Sequence, residues 1–99
     1  MSKLREARIT SDKCLYRSQL HEYLHEALGF PEYYGDNLSA LADCLAEAGT
    51  PLLITFDIDA ESLPTEMQAY MLRLVQVCAR ESLANENVSL IVEHRMQGK

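Results

Sequence analysis

The sequence predicts an α/β fold built on a small parallel sheet, and three observations carry that prediction. "LLITF", Leu52–Phe56, and "VSLIV", Val88–Val92, are short apolar runs bounded by turn residues, the pattern of buried strands. A long stretch with apolar residues at helical spacing separates them, and two further helical stretches precede the first. Connections that long exclude hairpins, so strands that share a sheet run parallel and are joined by right-handed crossovers.

Each element has its local reason. A short first strand lies near Arg5–Thr10, where Ala7 and Ile9 alternate with charges. Ser18 is placed to cap the first helix, whose stripe is Leu20, Tyr23, Leu24, Ala27 and Leu28; Gly29 and Pro31 end it. The loop "FPEYYGD" leads to a second helix capped by Asn37. Leu38, Leu41, Ala42, Cys44, Leu45 and Ala48 form its buried face, and Gly49 and Pro51 stop it. "LLITF" has no polar alternation and reads as a strand buried on both faces. "DIDAESLP" gives a loop with one short helix. Thr65 then opens a long helix, with Gln68 in the capping-box position; Met67, Tyr70, Met71, Leu74, Val75, Val77 and Cys78 make its apolar face. "ANEN" breaks it before the last strand, and the polar end, about residues 94–99, is expected to fray. The order is β-α-α-β-(α)-α-β in one domain over residues 1–99.

Composition narrows the function classes. No apolar run approaches the roughly 20 residues of a membrane span, and the start "MSKLREARIT" has no signal-peptide core, so a soluble cytoplasmic protein is expected. Three cysteines without a C-x-x-C pair argue for reduced, mostly buried thiols rather than a disulfide framework or zinc ribbon. The net charge of −6 is unevenly spread. Residues 18–72 hold ten acids (Glu22, Glu26, Glu32, Asp36, Asp43, Glu47, Asp57, Asp59, Glu61 and Glu66) and no lysine or arginine. That excludes a nucleic-acid surface, whose phosphates demand cations, and favours a cationic partner or plain solubility.

"HEYLH", His21–His25, fits the H-E-x-x-H zinc motif of metalloproteases. Helical geometry argues against that use. His21 sits at the edge of the predicted stripe, His25 further out and Glu22 almost opposite the core. A third ligand has no companion motif, and Glu26 places a charge where the protease pattern prefers none. Both histidines therefore read as flank residues without an assigned role, and no metal, cofactor or catalytic residue is expected. No G-x-S-x-G elbow or glycine-rich phosphate loop occurs.

The second helix carries more chemistry. On a wheel, Asp36, Ala40, Asp43 and Glu47 fall within about 40° of one line, with Ser39 beside them and Leu41 and Leu45 opposite. An acidic ridge thus backs onto an apolar face, with Tyr33 and Tyr34 beside its N-terminal end. Aromatic anchors next to charges are the chemistry of protein interfaces. Tyr34 is the tyrosine assigned to the core.

The segment "FPEYYGDNLSALADCL", Phe30–Leu45, resembles the signature of the barstar family of ribonuclease inhibitors. It matches P-E-Y-Y-G-x-N-L-x-A-L-x-D-C-L over 15 positions. Weaker similarity covers most of the chain, including "LVQVCARE" in the long helix. The resemblance implies a three-stranded parallel sheet packed with four helices and a monomer that plugs a small basic ribonuclease without catalysing any reaction. Asp43 matches the aspartate that mimics a phosphate in the nuclease's anion site, and Tyr33 the tyrosine that packs over its catalytic histidine. Asn37 and Leu38 match lesser contacts, and Tyr34, Asp36, Ser39 and Glu47 complete the expected partner-binding set. The chain departs from the family's well-studied inhibitor at Ser39, where that protein has an acid, at Ala42, where it has tryptophan, and near Arg80, where it again has an acid. An alternative is a binding module on the same fold with a non-nuclease partner.

Overall fold

The structure, a computed structural model, describes residues 4–93. The tail expected to fray, 94–99, lies outside them. Three strands, β1 (Arg5–Thr10), β2 (Leu52–Asp57) and β3 (Val88–Val92), form one sheet in the order β1-β2-β3. Both pairings are parallel, with Ala7 opposite Ile54 and Ile54 opposite Leu90. The helices are α1 (Arg17–Leu28), α2 (Leu38–Ala46) and α3 (Thr65–Ala84).

This strand order makes both right-handed crossovers advance the same way, which lays their helices on one face of the sheet. Burial agrees: on β1, Ala7 and Ile9 are buried while Glu6 and Arg8 are exposed. The core joins Ile9, Ile54, Phe56 and Val88 of the sheet to Leu20, Leu24, Leu41, Leu45, Met67, Leu74 and Cys78 of the helices. β2 is the central strand and is buried along almost its whole length, but only Leu52, Ile54 and Phe56 join the apolar core; Thr55 and Asp57, on the other face, are buried polar residues. On the uncovered face, the Arg8 guanidinium bonds both Asp57 and Glu93 at 2.8 Å and ties β1 to β2 and to the residue that follows β3. The edge of β1 is closed from α1, where the Tyr23 hydroxyl accepts the Arg8 N–H at 2.8 Å.

Three expectations are corrected. Among the described residues there are three α-helices rather than four, because the short element after β2 is a single 3-10 turn, Ala60–Ser62. Pro64 stops it: the residue before a proline is pushed out of helical space, and Leu63 is extended with ψ 148°. Ser18 does not cap α1. The helix begins at Arg17 behind an extended Tyr16, whose carbonyl accepts the Leu20 N–H at 3.1 Å. The capping box on α3 does not form either. Pro64 is the N-cap, and the Gln68 amide donates to the Leu63 carbonyl at 3.0 Å instead.

Candidate functional site

The segment between α1 and α2 turns sharply. Gly29 takes the left-handed conformation (φ 68°) that ends α1, and the Arg5 guanidinium lies where a β-carbon would sit. Pro31 to Tyr34 then make a turn closed by the Tyr34 N–H donating to the Pro31 carbonyl at 2.9 Å. That turn sends its two tyrosines in opposite directions. Tyr33 at the tip is 80 % exposed, whereas Tyr34 is 7 % exposed and enters the core. Its ring lies 4.9 Å from Phe30 between centroids.

Tyr34 is held by the histidines of "HEYLH". His21 is fully buried; its Nδ1 lies 2.5 Å from the Tyr34 hydroxyl and its Nε2 lies 2.6 Å from the Tyr70 hydroxyl of α3. The His25 ring packs against the same tyrosine at 5.9 Å. His21 is thus no solvated flank residue, which corrects the sequence reading. Both its nitrogens are engaged by hydroxyls, and it joins α1, the turn and α3. Burial pushes its pKa down, against the pull of Asp36 and with help from Arg17. Burial likewise pushes both phenols up, Tyr34 furthest. A neutral imidazole has one N–H and one lone pair, so one tyrosine donates to His21 and the other accepts from it. Arg17 stacks over the Tyr70 ring at 4.6 Å and closes this cluster from outside.

The turn is joined to α2 through Asn37. Its Oδ1 accepts the Ala40 N–H at 2.8 Å, the predicted N-cap, while its Nδ2 donates to the Gly35 carbonyl at 3.0 Å. A side chain at Gly35 would crowd that amide, with a β-carbon 3.2 Å from Nδ2. Asp36 sits between them with φ 54°, a conformation that aspartate tolerates better than most residues.

The ridge is shorter than the wheel implies. Of its three acids only Asp43 lies within α2; Asp36 precedes the N-cap and Glu47 is the C-cap. All three are exposed, as is Ser39, while Leu38 and Ala40 are half-buried. Among the described residues the Asp43 carboxylate has no ion pair. The far end of α2 is secured from the α3–β3 connection. There the Asn85 amide donates to the carbonyls of Leu45 (2.9 Å) and Ala48 (3.1 Å), and the Asn87 amide also reaches Ala48 (3.0 Å). These amides add to the Ala48 N–H that already reaches the Leu45 carbonyl at 3.3 Å, and they tie the chain just beyond α2 to the end of α3.

The cysteines are free thiols. Burial pushes Cys14 up to about 11 and Cys78 up to about 12, so neither is a ready nucleophile. No helix among the described residues is long and apolar enough to cross a membrane.

Fold and surface together define a small α/β scaffold that offers an aromatic turn and an acidic helix side by side on a rigid base. A family model described as Barstar (barnase inhibitor) matches residues 4–95. The chain belongs to the Barstar family, whose proteins are inhibitors rather than enzymes and whose implied partner is a ribonuclease.

Proposed function

We propose that this protein inhibits a small basic ribonuclease by occluding its active site with Tyr33 and the α2 ridge. The observation that carries the reading is the pairing of an 80 % exposed tyrosine, on a turn anchored to the core, with an exposed Asp43 carboxylate that has no ion pair among the described residues. A site preorganised for phosphate is a cluster of poorly hydrated cations, and a positioned carboxylate satisfies it as the scissile phosphate would. Asp43 takes that part, and Tyr33 lays its ring against the base-binding or catalytic side chains beside it. Asp36, Asn37, Leu38, Ser39 and Glu47 form the rim, with Tyr34 as the buried support. The net charge of −6 speeds encounter with a cationic enzyme. The inhibitor–nuclease pair of this family is itself the reference case for such steering, so that rule is borrowed from the family.

RNA cleavage by barnase and other basic microbial ribonucleases, each mixed with the chain at equal concentration, tests the proposal. Inhibition is expected with at least one enzyme, weakening as salt rises. Asp43→Ala should weaken it more than any other ridge substitution. Unchanged inhibition by Asp43→Ala refutes the phosphate-mimic role, and RNA cleavage left intact with every enzyme favours a binding module with a non-nuclease partner instead.

A further inference from the structure

Beside the ridge lies a groove that the ridge alone does not explain. Its floor is apolar and half-buried: Leu38 and Ala42 from α2, Val77 from α3. Ser39 and Asp43 line one wall and Arg80 the other, around about 230 Å³. Arg80 and Asp43 do not pair with each other. The Arg80 side chain is 68 % exposed, and its one ionic contact among the described residues is a loose 3.6 Å approach to Glu81, its chain neighbour. Glu81 is largely covered, but a 3.6 Å approach to a guanidinium that stands mostly in solvent is a weak pair. A loosely held cation thus stands across an apolar strip from a carboxylate that has no ion pair among the described residues, beside a ridge of acids.

We propose that this groove is the specificity site of the interface, receiving an apolar side chain of the nuclease flanked by an acidic residue that pairs with Arg80. The inference rests on the reading of Tyr33 and Asp43 as the docking surface. Its ground is charge complementarity. A guanidinium presents a planar fork that matches a carboxylate with two parallel hydrogen bonds. A partner that is basic throughout this region would instead confine Arg80 against like charge, which discriminates between nucleases more strongly than any gain in contact area. Asp43 and Arg80 therefore divide the work. The carboxylate engages the cationic centre common to such enzymes, and the guanidinium selects among them by the charge beside that centre. The small Ala42 leaves the depth that the partner's apolar side chain fills.

Barnase is the probe for the test. Its inhibition is titrated with the unmodified chain, Arg80→Glu, Arg80→Ala, and Arg80→Glu combined with Asp43→Ala, at low and moderate salt. Arg80→Glu should tighten barnase binding about tenfold or more, Arg80→Ala less, and the gain should shrink as salt rises. Arg80→Glu that binds no better than the unmodified chain, including no measurable binding by either, overturns the specificity role. The combined variant reports on the underlying reading separately: binding by Arg80→Glu that Asp43→Ala does not weaken sinks the ridge as docking surface. Dimerisation of the unmodified chain in sedimentation, lost in Arg80→Glu, would put a second copy in the groove and overturn the assignment of a nuclease.

Discussion

Replacing His21 by leucine tests whether the buried His21–Tyr34–Tyr70 cluster holds the turn that carries Tyr33. Leucine roughly preserves bulk, so the perturbation is mainly polar. Two hydrogen bonds, at 2.5 and 2.6 Å, are lost. The hydroxyls of two tyrosines buried to 7 % and 4 % exposure are left without that partner. An orphaned buried hydroxyl costs about 1–2 kcal/mol, and the greater apolarity of leucine offsets part of the sum, leaving a net loss of about 1–3 kcal/mol. Domains of this kind have only about 5–15 kcal/mol of stability, so the change is large. Urea unfolding, followed by near-ultraviolet circular dichroism of the tyrosines, measures it. Removing the hydroxyls as well, in His21→Leu with Tyr34→Phe and Tyr70→Phe, should recover most of the loss, because all members of the network are then apolar. Chymotrypsin supplies a local readout: cleavage after Tyr33 should accelerate in His21→Leu and slow again in the triple variant. A single variant within about 0.5 kcal/mol of the parent, or a triple variant no more stable than the single, refutes the reasoning.

Three further outcomes concern the fold, beside the Asp43 and Arg80 tests already set out. Burial holds the folded-state pKa of His21 below its ordinary value, so as pH falls below about 6.5 the unfolded chain binds a proton that the folded chain refuses. Stability contributed by neutral His21 is therefore complete above that pH and declines below it, by at most about 1.4 kcal/mol per pH unit. The difference between the parent and His21→Leu in unfolding free energy should shrink across that range, and parallel pH profiles would contradict the assignment. Asn85→Ala removes the amide that bonds the Leu45 and Ala48 carbonyls and should cost about 1–2 kcal/mol in a thermal or urea melt. Asn87→Ala should cost less, since it removes one side-chain bond where Asn85→Ala removes those to Leu45 and Ala48 and the one accepted from the Asn87 N–H.

The strands were legible because each is a short run whose burial depends on little beyond its own pattern. Leu52–Asp57 is buried along almost its whole length because it is central, and turn residues mark both its ends. Asn37 was legible as a cap because capping is a bond between near neighbours. What escaped is long-range or polar. On α1, Tyr23 and Ala27 drew the predicted stripe to one side, whereas the buried set is Leu20, His21, Leu24 and Leu28, rotated by roughly 50°. The available signal was that His21 lies only about 20° from Leu28 on the wheel. A histidine counts as polar, however, until partners for both nitrogens are in view, and those come from Tyr34 and Tyr70. The ridge was drawn too long because a wheel continues through helix ends that Asp36 and Glu47 mark. Asn85 and Asn87 read as helix breakers, and their bonds to α2 cross some forty positions of chain.

That cluster also bears on when the protein becomes useful. His21 and Tyr70 are 49 positions apart, and the sheet has no hairpin through which it could zip from neighbouring segments. A nascent chain that has emerged only as far as α2 already carries Tyr33 and Asp43, yet lacks the hydroxyl that completes the grip on the turn. The protein thus comes off the ribosome with its proposed contact residues made early and their geometry set late. Under the proposed function, protection of RNA should accordingly begin with completion of the chain rather than build up in proportion to its length.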